Sequence, residues 1–159
     1  KATFFMIGLQ ARIYPTYAHD LYAAGHAIGN HTDTHQNLTA IPIAQAEAEL
    51  TAAGNSIQAA TGHRPTCMRP PTGAMNAATT ALVAQLGLTL EQGTIDGGDW
   101  VDPQPSVAQL EAVLDTAVNN SILVFHDAGG NRANTVAAFD DWLSRNATNF
   151  NFKTLASCH

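Results

Sequence analysis

Short β-prone runs alternate with helix-length segments along the chain, and this alternation limits the fold more than any other feature of the sequence. The apolar run from Ala2 to Ile7 ends at Gly8 and predicts a strand that is buried on both faces. Further strands are predicted at residues 26–29, 66–69, 88–95, 122–125 and 152–155. Because parallel strands need long crossover connections, usually helices, the pattern predicts an α/β fold with a parallel sheet.

Five helices are predicted between these strands. The clearest follows Pro42, where apolar residues recur at helical spacing from Ile43 to Ile57. Another begins at Ser106, which forms a capping-box pattern with Gln109. The others are expected over residues 15–24, up to residue 86, and over residues 135–145.

The strand count bears on the choice between the two common parallel architectures, a barrel and a doubly wound sheet. Six strands, the first beginning at residue 2, fall short of the eight strands of a standard (β/α) barrel. This favours an incomplete (β/α) barrel, with a part absent upstream of Lys1. Because no linker, repeat or low-complexity tract divides the sequence, one N-terminally incomplete domain is expected over residues 1–159.

Charge and hydropathy argue against two classes of partner. The net charge is −6 and Lys and Arg form no cluster, so nucleic acid is not an expected partner. No apolar run approaches the roughly 20 residues that cross a bilayer, so membrane insertion is not expected. Cys67 and Cys158 leave two interpretations open, one disulfide or two buried reduced thiols.

Ionisable residues gather where the predicted strands end. His31 and His35 follow the second strand, Arg69 ends the third, Asp96 follows the fourth, and His126 follows the fifth. In parallel α/β folds the loops at the carboxyl ends of the strands converge into a site. These side chains are therefore expected to surround one crevice.

Taken alone, each feature also has a plain structural explanation. The spacing His31-x-x-x-His35 would let two imidazoles share one face of a helical turn and bind zinc, but ordinary surface histidines have it too. His126 suits either proton transfer or a hydrogen-bonded core position. Arg69 before two prolines suits either holding a carboxylate or a solvated turn. Residues 96–100, with two carboxylates and a tryptophan, also have the composition of a common loop.

Taken together, five segments resemble the polysaccharide deacetylases, the NodB-like family 4 carbohydrate esterases. The segments are Ala2-Thr-Phe-Phe to Gly8, Gly25 to His35, Arg69-Pro-Pro-Thr-Gly73, Asp96 to Trp100, and Val124-Phe-His126-Asp127. Their order and spacing follow the family, and the histidine motif with its Gly-x-x-Ile-Gly-Asn lead-in is highly specific. The resemblance implies the family fold, a distorted, incomplete (β/α) barrel with fewer than eight regular strands, whose first strand and helix are absent from this chain. It also implies that residues 1–159 form a single catalytic domain.

The resemblance also implies a metal site and a catalytic set. His31 and His35 would hold one divalent metal ion, zinc in the first place, with cobalt or nickel also compatible. His126 would be the general acid, Asp96 would tune that acid, and Arg69 would help to position the catalytic base.

Three further residues are expected to bind the substrate. The backbone N–H of Thr72 would stabilise the oxyanion, and Trp100 and Val124 would lie beside the acetyl methyl group. The family commonly has an aromatic residue in place of Thr72 and leucine in place of Val124. Its first motif, Thr-Phe-Asp-Asp-Gly, which provides the base and a third metal ligand, does not occur in the chain, and Asp140-Asp141 in the last predicted helix is not that motif. An upstream segment is expected to supply these aspartates.

The implied activity is hydrolysis of acetyl groups on a polysaccharide, with metal-activated water attacking the acetyl carbonyl and His126 as general acid. Chitin or chitooligosaccharide, N-acetylated peptidoglycan and acetylxylan all remain open as substrates. The alternative is a catalytically inactive deacetylase-like domain that binds carbohydrate, because two histidines alone do not complete a metal site. With such substrates and four Asn-x-Ser/Thr sequons, a monomeric protein that is secreted or associated with the cell envelope is expected.

Overall fold

The computed structural model describes residues 1–159, and the chain divides into two compact units. The first unit comprises Lys1–Glu91 together with Phe152–His159, and the second comprises Gln92–Asn151. Each unit contains its own parallel sheet. The expectation of one domain over residues 1–159 stays a prediction.

A four-stranded parallel sheet forms the centre of the first unit. Its strands are β1 (Thr3–Met6), β2 (Ala27–Asn30), β3 (Cys67–Met68) and β4 (Thr89–Leu90), in that spatial order. β1 and β2 pair along their whole length, with Thr3 opposite Ala27 and Met6 opposite Asn30. All three strand pairings are parallel, as the sequence predicts.

Four helices accompany this sheet. They are α1 (Gly8–Ile13), α2 (Pro15–Ala23), α3 (Ile43–Thr61) and α4 (Ala77–Gln85). Helix α3 contributes to two clusters of buried residues. Leu50 packs with Met68 and Leu82 in one cluster, and Ile57 packs with Ala11 and Ile28 in the other. No helix in the chain has both the length and the apolar character needed to span a membrane.

The C-terminal segment does not form the strand that the sequence predicts at residues 152–155. Its Leu155 N–H donates to the Thr3 hydroxyl (2.9 Å) instead of to a neighbouring strand, and a 3₁₀ turn follows at Ala156–Cys158. Cys158 is joined to Cys67 of β3 by a disulfide, and both cysteines are buried. The two cysteines are therefore a disulfide pair that fastens this segment to the first sheet.

The second unit has a two-stranded sheet and two helices. Strands β5 (Ile95–Asp96) and β6 (Leu123–Val124) are parallel, and helices α5 (Val107–Leu114) and α6 (Ala133–Asn146) bury Leu110, Leu114, Ala138 and Trp142. The single strand predicted at 88–95 is thus divided between β4 of the first sheet and β5 of the second. The capping box predicted at the start of α5 is present.

Candidate active site

The two motif histidines lie in a loop after β2, and not in the helical turn that their spacing predicts. Thr32 and His35 have φ angles of 63° and 64°, in the left-handed region, and this interrupts any helix between residues 31 and 35. The two imidazole rings still lie edge to face, with centroids 4.9 Å apart. The spacing therefore predicts the proximity of the rings correctly and the local backbone wrongly.

The backbone at the end of β3 orients His31. The Nδ1 atom of His31 lies 2.7 Å from the carbonyl oxygen of Arg69. Because a carbonyl oxygen only accepts hydrogen bonds, Nδ1 carries the proton and Nε2 carries the lone pair. A hydrogen bond of this kind to the other ring nitrogen is what usually orients a metal-binding imidazole.

A buried carboxylate from α3 holds the loop between the histidines. Glu49 Oε2 accepts hydrogen bonds from the backbone N–H groups of Asp33 (2.9 Å) and Thr34 (2.7 Å), and Oε1 accepts one from the Thr34 hydroxyl (2.7 Å). The Asn30 side chain accepts from the backbone N–H of Thr32 (2.9 Å). These bonds satisfy the backbone donors that a loop outside regular structure leaves unpaired.

The acidic residue between the histidines is engaged with an arginine. Arg12 of α1 forms a two-pronged pair with the Asp33 carboxylate, at 2.5 and 2.9 Å, and also donates to the Ser56 hydroxyl (2.6 Å). The hydrogen bond to Asp33 and its negative charge raise the pKa of Arg12. No group of three or more His, Cys, Asp or Glu side chains is placed to hold a metal ion. The loop from His31 to His35, called the histidine loop below, therefore offers a metal ion two imidazole ligands.

Arg69 and Thr72 lie on the segment that follows β3. The Arg69 guanidinium carbon lies 4.3 Å from the centroid of the Phe5 ring, a cation–π distance, and the Arg69 backbone N–H donates to Asn30 O (3.0 Å). Thr72 is exposed in a 3₁₀ turn at Pro71–Gly73, with φ 62° and ψ 0°. The roles expected for both residues stay predictions.

In the second unit, the main polar pair is Asp99 with His126. Asp99 is fully buried, and its Oδ1 lies 2.8 Å from Nδ1 of His126, while Oδ2 accepts the backbone N–H of His126 (2.9 Å). The His126 side chain is 41% exposed. Since the carboxylate binds the Nδ1 proton, Nε2 is the ring nitrogen that this pair leaves for another hydrogen-bonding partner.

The carboxylate bonded to His126 is thus Asp99 and not Asp96, and the expectation that Asp96 tunes the general acid stays a prediction. Asp96 is exposed, and its two oxygens instead accept from the backbone N–H of Gly98 (2.9 Å) and from Nε1 of Trp100 (3.4 Å). The chain bends at Gly98, whose φ is 65°, so the two aspartates face different surroundings. Trp100 itself is 58% exposed.

Sequence reasoning also missed the residues that support the two histidine sites. Glu49 falls on a helix that is recognisable from its apolar face, but nothing local marks it as a partner of a loop 15 residues earlier.

Val124, which is expected beside the acetyl group, is half-buried in β6.

A family model described as polysaccharide deacetylase matches residues 1–90. The chain belongs to the polysaccharide deacetylase family. A chitooligosaccharide deacetylase from Azorhizobium caulinodans is 32% identical over 149 residues, covering 86% of this chain and 70% of that protein. A peptidoglycan-N-acetylmuramic acid deacetylase from Bacillus subtilis is 28% identical over 126 residues, which cover 79% of this chain but only 26% of that relative.

Solved structures share the fold of this family member. A family 4 carbohydrate esterase from Streptomyces lividans, solved in complex with acetate, superposes with a TM-score of 0.84 at 28% identity, covering 92% of this chain and 74% of that one. A CE4 family pseudoenzyme from Bacillus anthracis has a TM-score of 0.82 at 21% identity, with 96% and 52% covered. The predicted fold class, the incomplete (β/α) barrel of the polysaccharide deacetylases, is therefore confirmed.

Proposed function

We propose that this polysaccharide deacetylase removes acetyl groups from a polysaccharide by metal-dependent hydrolysis. The observation that carries the proposal is the Asp99–His126 pair, because the carboxylate holds Nδ1–H and leaves Nε2 as the nitrogen that can pass a proton to the leaving group. N-acetylated amino-sugar polymers are the first substrates to test, since the two curated relatives are named as chitooligosaccharide and peptidoglycan deacetylases. Acetylxylan remains a second substrate class.

His31 and His35 fit a divalent metal ion, with zinc as the first candidate and cobalt or nickel as the others. Their rings are neighbours, and the Nδ1 atom of His31 is already bonded to a carbonyl oxygen. A bound divalent cation would supply Lewis-acid polarisation of the acetyl carbonyl. Because zinc takes at least three protein ligands in catalytic sites, the proposal requires a further ligand and a base that residues 1–159 do not supply.

The chain's own residues have separate roles in the proposed reaction. As water adds to the acetyl carbon and gives its proton to the required base, the Thr72 N–H donates to the developing oxyanion. His126 gives the proton on Nε2 to the departing amine or alkoxide, and Asp99 stabilises the imidazolium through Nδ1–H. Arg69 holds the base, and Trp100 and Val124 contact the acetyl methyl group.

The test is acetate release from chitooligosaccharide, N-acetylated peptidoglycan and acetylxylan. It is measured with this chain alone and with this chain joined to an N-terminal segment that carries the family's Thr-Phe-Asp-Asp-Gly motif, each before and after treatment with a chelator. The expected result is chelator-sensitive release by the form with the added segment, which returns with zinc and disappears in His126→Ala. Release that survives both the chelator and His126→Ala would contradict the proposed mechanism.

A second candidate is a catalytically inactive domain that binds carbohydrate. It is favoured by the structural likeness to a CE4 family pseudoenzyme and by the two-ligand histidine loop. Oligosaccharide binding without acetate release in either form of the protein would support this candidate.

The disulfide and the named substrates of the relatives support our proposal that the protein is secreted or associated with the cell envelope. We also propose that it is a monomer.

A further inference from the structure

Helix α6 sends one hydroxyl group to the buried Asp99 carboxylate. Thr135, in the first turn of α6, is 4% exposed, and its Oγ1 lies 3.0 Å from Asp99 Oδ2. We propose that Thr135 is a positioning residue that holds Asp99 in the orientation in which it accepts the Nδ1 proton of His126. Because His126 matters as a proton donor only in the deacetylation proposed above, the catalytic part of this inference rests on that proposed function.

Gln104 sets the direction of the Thr135 hydroxyl. The Gln104 Nε2 atom donates to Thr135 Oγ1 at 3.0 Å. A hydroxyl group has a single proton, and an amide nitrogen only donates, so Oγ1 accepts from Gln104 and its own proton points to Asp99. The chain of donors therefore runs from Gln104 through Thr135 to Asp99, and the carboxylate is the final acceptor.

Each of the two Asp99 carboxylate oxygens accepts hydrogen bonds from its own set of donors. Oδ2 receives both the Thr135 hydroxyl and the backbone N–H of His126, whereas Oδ1 receives the imidazole Nδ1–H. With two donors on Oδ2, rotation of the carboxylate would leave a buried donor unsatisfied, which is costly. The hydroxyl thus keeps Oδ1 directed at the imidazole.

Arg132, directly before α6, fixes the backbone around the same pair. Its guanidinium donates to the carbonyl oxygens of Asp99, Ala128 and Gly129. This joins the loop that carries Asp99 to the loop that follows His126. Because the backbone is held separately, removal of the Thr135 hydroxyl alone should change the orientation of the carboxylate and leave the loops in place.

The test compares Thr135→Val, which keeps the shape of the side chain and removes the hydroxyl, with Thr135→Ser, which keeps the hydroxyl. Thr80→Val on the exposed face of α4 is the matched control. For acetate release we expect Thr135→Val to lower kcat about 10-fold or more with KM within about twofold, and Thr135→Ser to restore most of kcat.

The second readout is the protonation of the His126 ring nitrogens, measured by nitrogen-15 NMR, which needs no catalysis. The wild-type protein and Thr135→Ser should have the neutral imidazole as the Nδ1–H tautomer, and Thr135→Val should contain a clear fraction of the Nε2–H tautomer. An unchanged tautomer and an unchanged kcat in Thr135→Val, equal to Thr80→Val, would overturn the inference.

Two further outcomes are also decisive. If the protein joined to the motif-carrying N-terminal segment releases no acetate, the proposed function fails, and the NMR comparison still decides whether Thr135 positions the pair. If Thr135→Val does not fold, Gln104→Ala replaces it, since it removes the donor that directs the hydroxyl. A smaller shift of the tautomer and of kcat in the same direction supports the inference, and no shift in either overturns it.

Discussion

The histidine loop of the first unit and the Asp99–His126 pair of the second each depend on one buried carboxylate, and the two carboxylates bind different partners. Glu49 accepts hydrogen bonds only from backbone N–H groups and one threonine hydroxyl, so it fixes the path of the chain between His31 and His35. Asp99 accepts from an imidazole as well, so it also fixes where the His126 proton lies. One carboxylate therefore shapes a loop, and the other also holds the imidazole that we propose as the general acid.

The largest expected effect comes from the second carboxylate. Asp99→Asn should lower acetate release by about 10²- to 10⁴-fold, because an amide in that place no longer stabilises an imidazolium or holds its tautomer. Asp96→Asn is the matched control and should lower it by less than about threefold, since Asp96 contacts only Gly98 and Trp100. Initial rates with excess substrate measure both. A larger loss in Asp96→Asn would restore the assignment that the sequence alone suggests.

The disulfide gives the next effect, and both of its cysteines belong to the first unit. Cys67 and Cys158 close a loop with a sequence separation of 91 residues, so replacing both with alanine should lower the free energy of unfolding by about 2–4 kcal/mol. Chemical denaturation in the absence of reductant is the measurement. The wild-type protein in strong reductant should match the double variant. A stability that does not change in either case would mean that the segment at 152–159 is held by its packing alone.

The next prediction concerns Glu49, the carboxylate that holds the histidine loop. Glu49→Leu should lower the free energy of unfolding by about 2–3 kcal/mol, because it removes a charged acceptor from three hydrogen bonds. It should also weaken zinc binding about 10- to 100-fold in calorimetry, because the histidines lose their support. Glu49→Gln keeps an acceptor for the backbone donors and should recover most of both.

The control for this pair of variants is Glu47→Leu, on the exposed side of the same helix. It should leave zinc binding and stability nearly unchanged, because surface substitutions usually change stability by less than about 0.5 kcal/mol. Equal losses in Glu47→Leu and Glu49→Leu would mean that α3 responds to the substitution in general, and not to the lost bonds with Asp33 and Thr34.

The sequence was most informative where a local pattern decides the structure. Buried parallel strands are apolar runs, so β1, β2 and β3 lie within or overlap their predicted ranges. Helix α1 was missed because it has six residues and no side-chain cap at Ile7. The apolar run at 152–155 is tied by the Thr3 hydroxyl and the disulfide, and neither contact leaves a periodic signal in the sequence.

At the candidate site the limits were of a different kind. The spacing of His31 and His35 predicted that the rings would be neighbours, but a left-handed φ at a threonine and a histidine has no reliable sequence signal. Asp96 ends β5 and Asp99 follows it, and the bend at Gly98 decides which of them reaches His126. Choosing between two such carboxylates needs the backbone path, which composition and spacing do not provide.

The smallest expected effect is the loss of a helix cap, which can be tested in both units because each has a helix with a capping box. Asn76→Ala removes the cap of α4 in the first unit, and Ser106→Ala removes the cap of α5 in the second. Each should cost about 1 kcal/mol of stability. Scanning calorimetry then distinguishes two cases. If residues 1–159 unfold as the single domain that the sequence predicts, both variants lower one shared transition. If the units unfold independently, each variant lowers a separate transition, and the prediction of one domain is wrong.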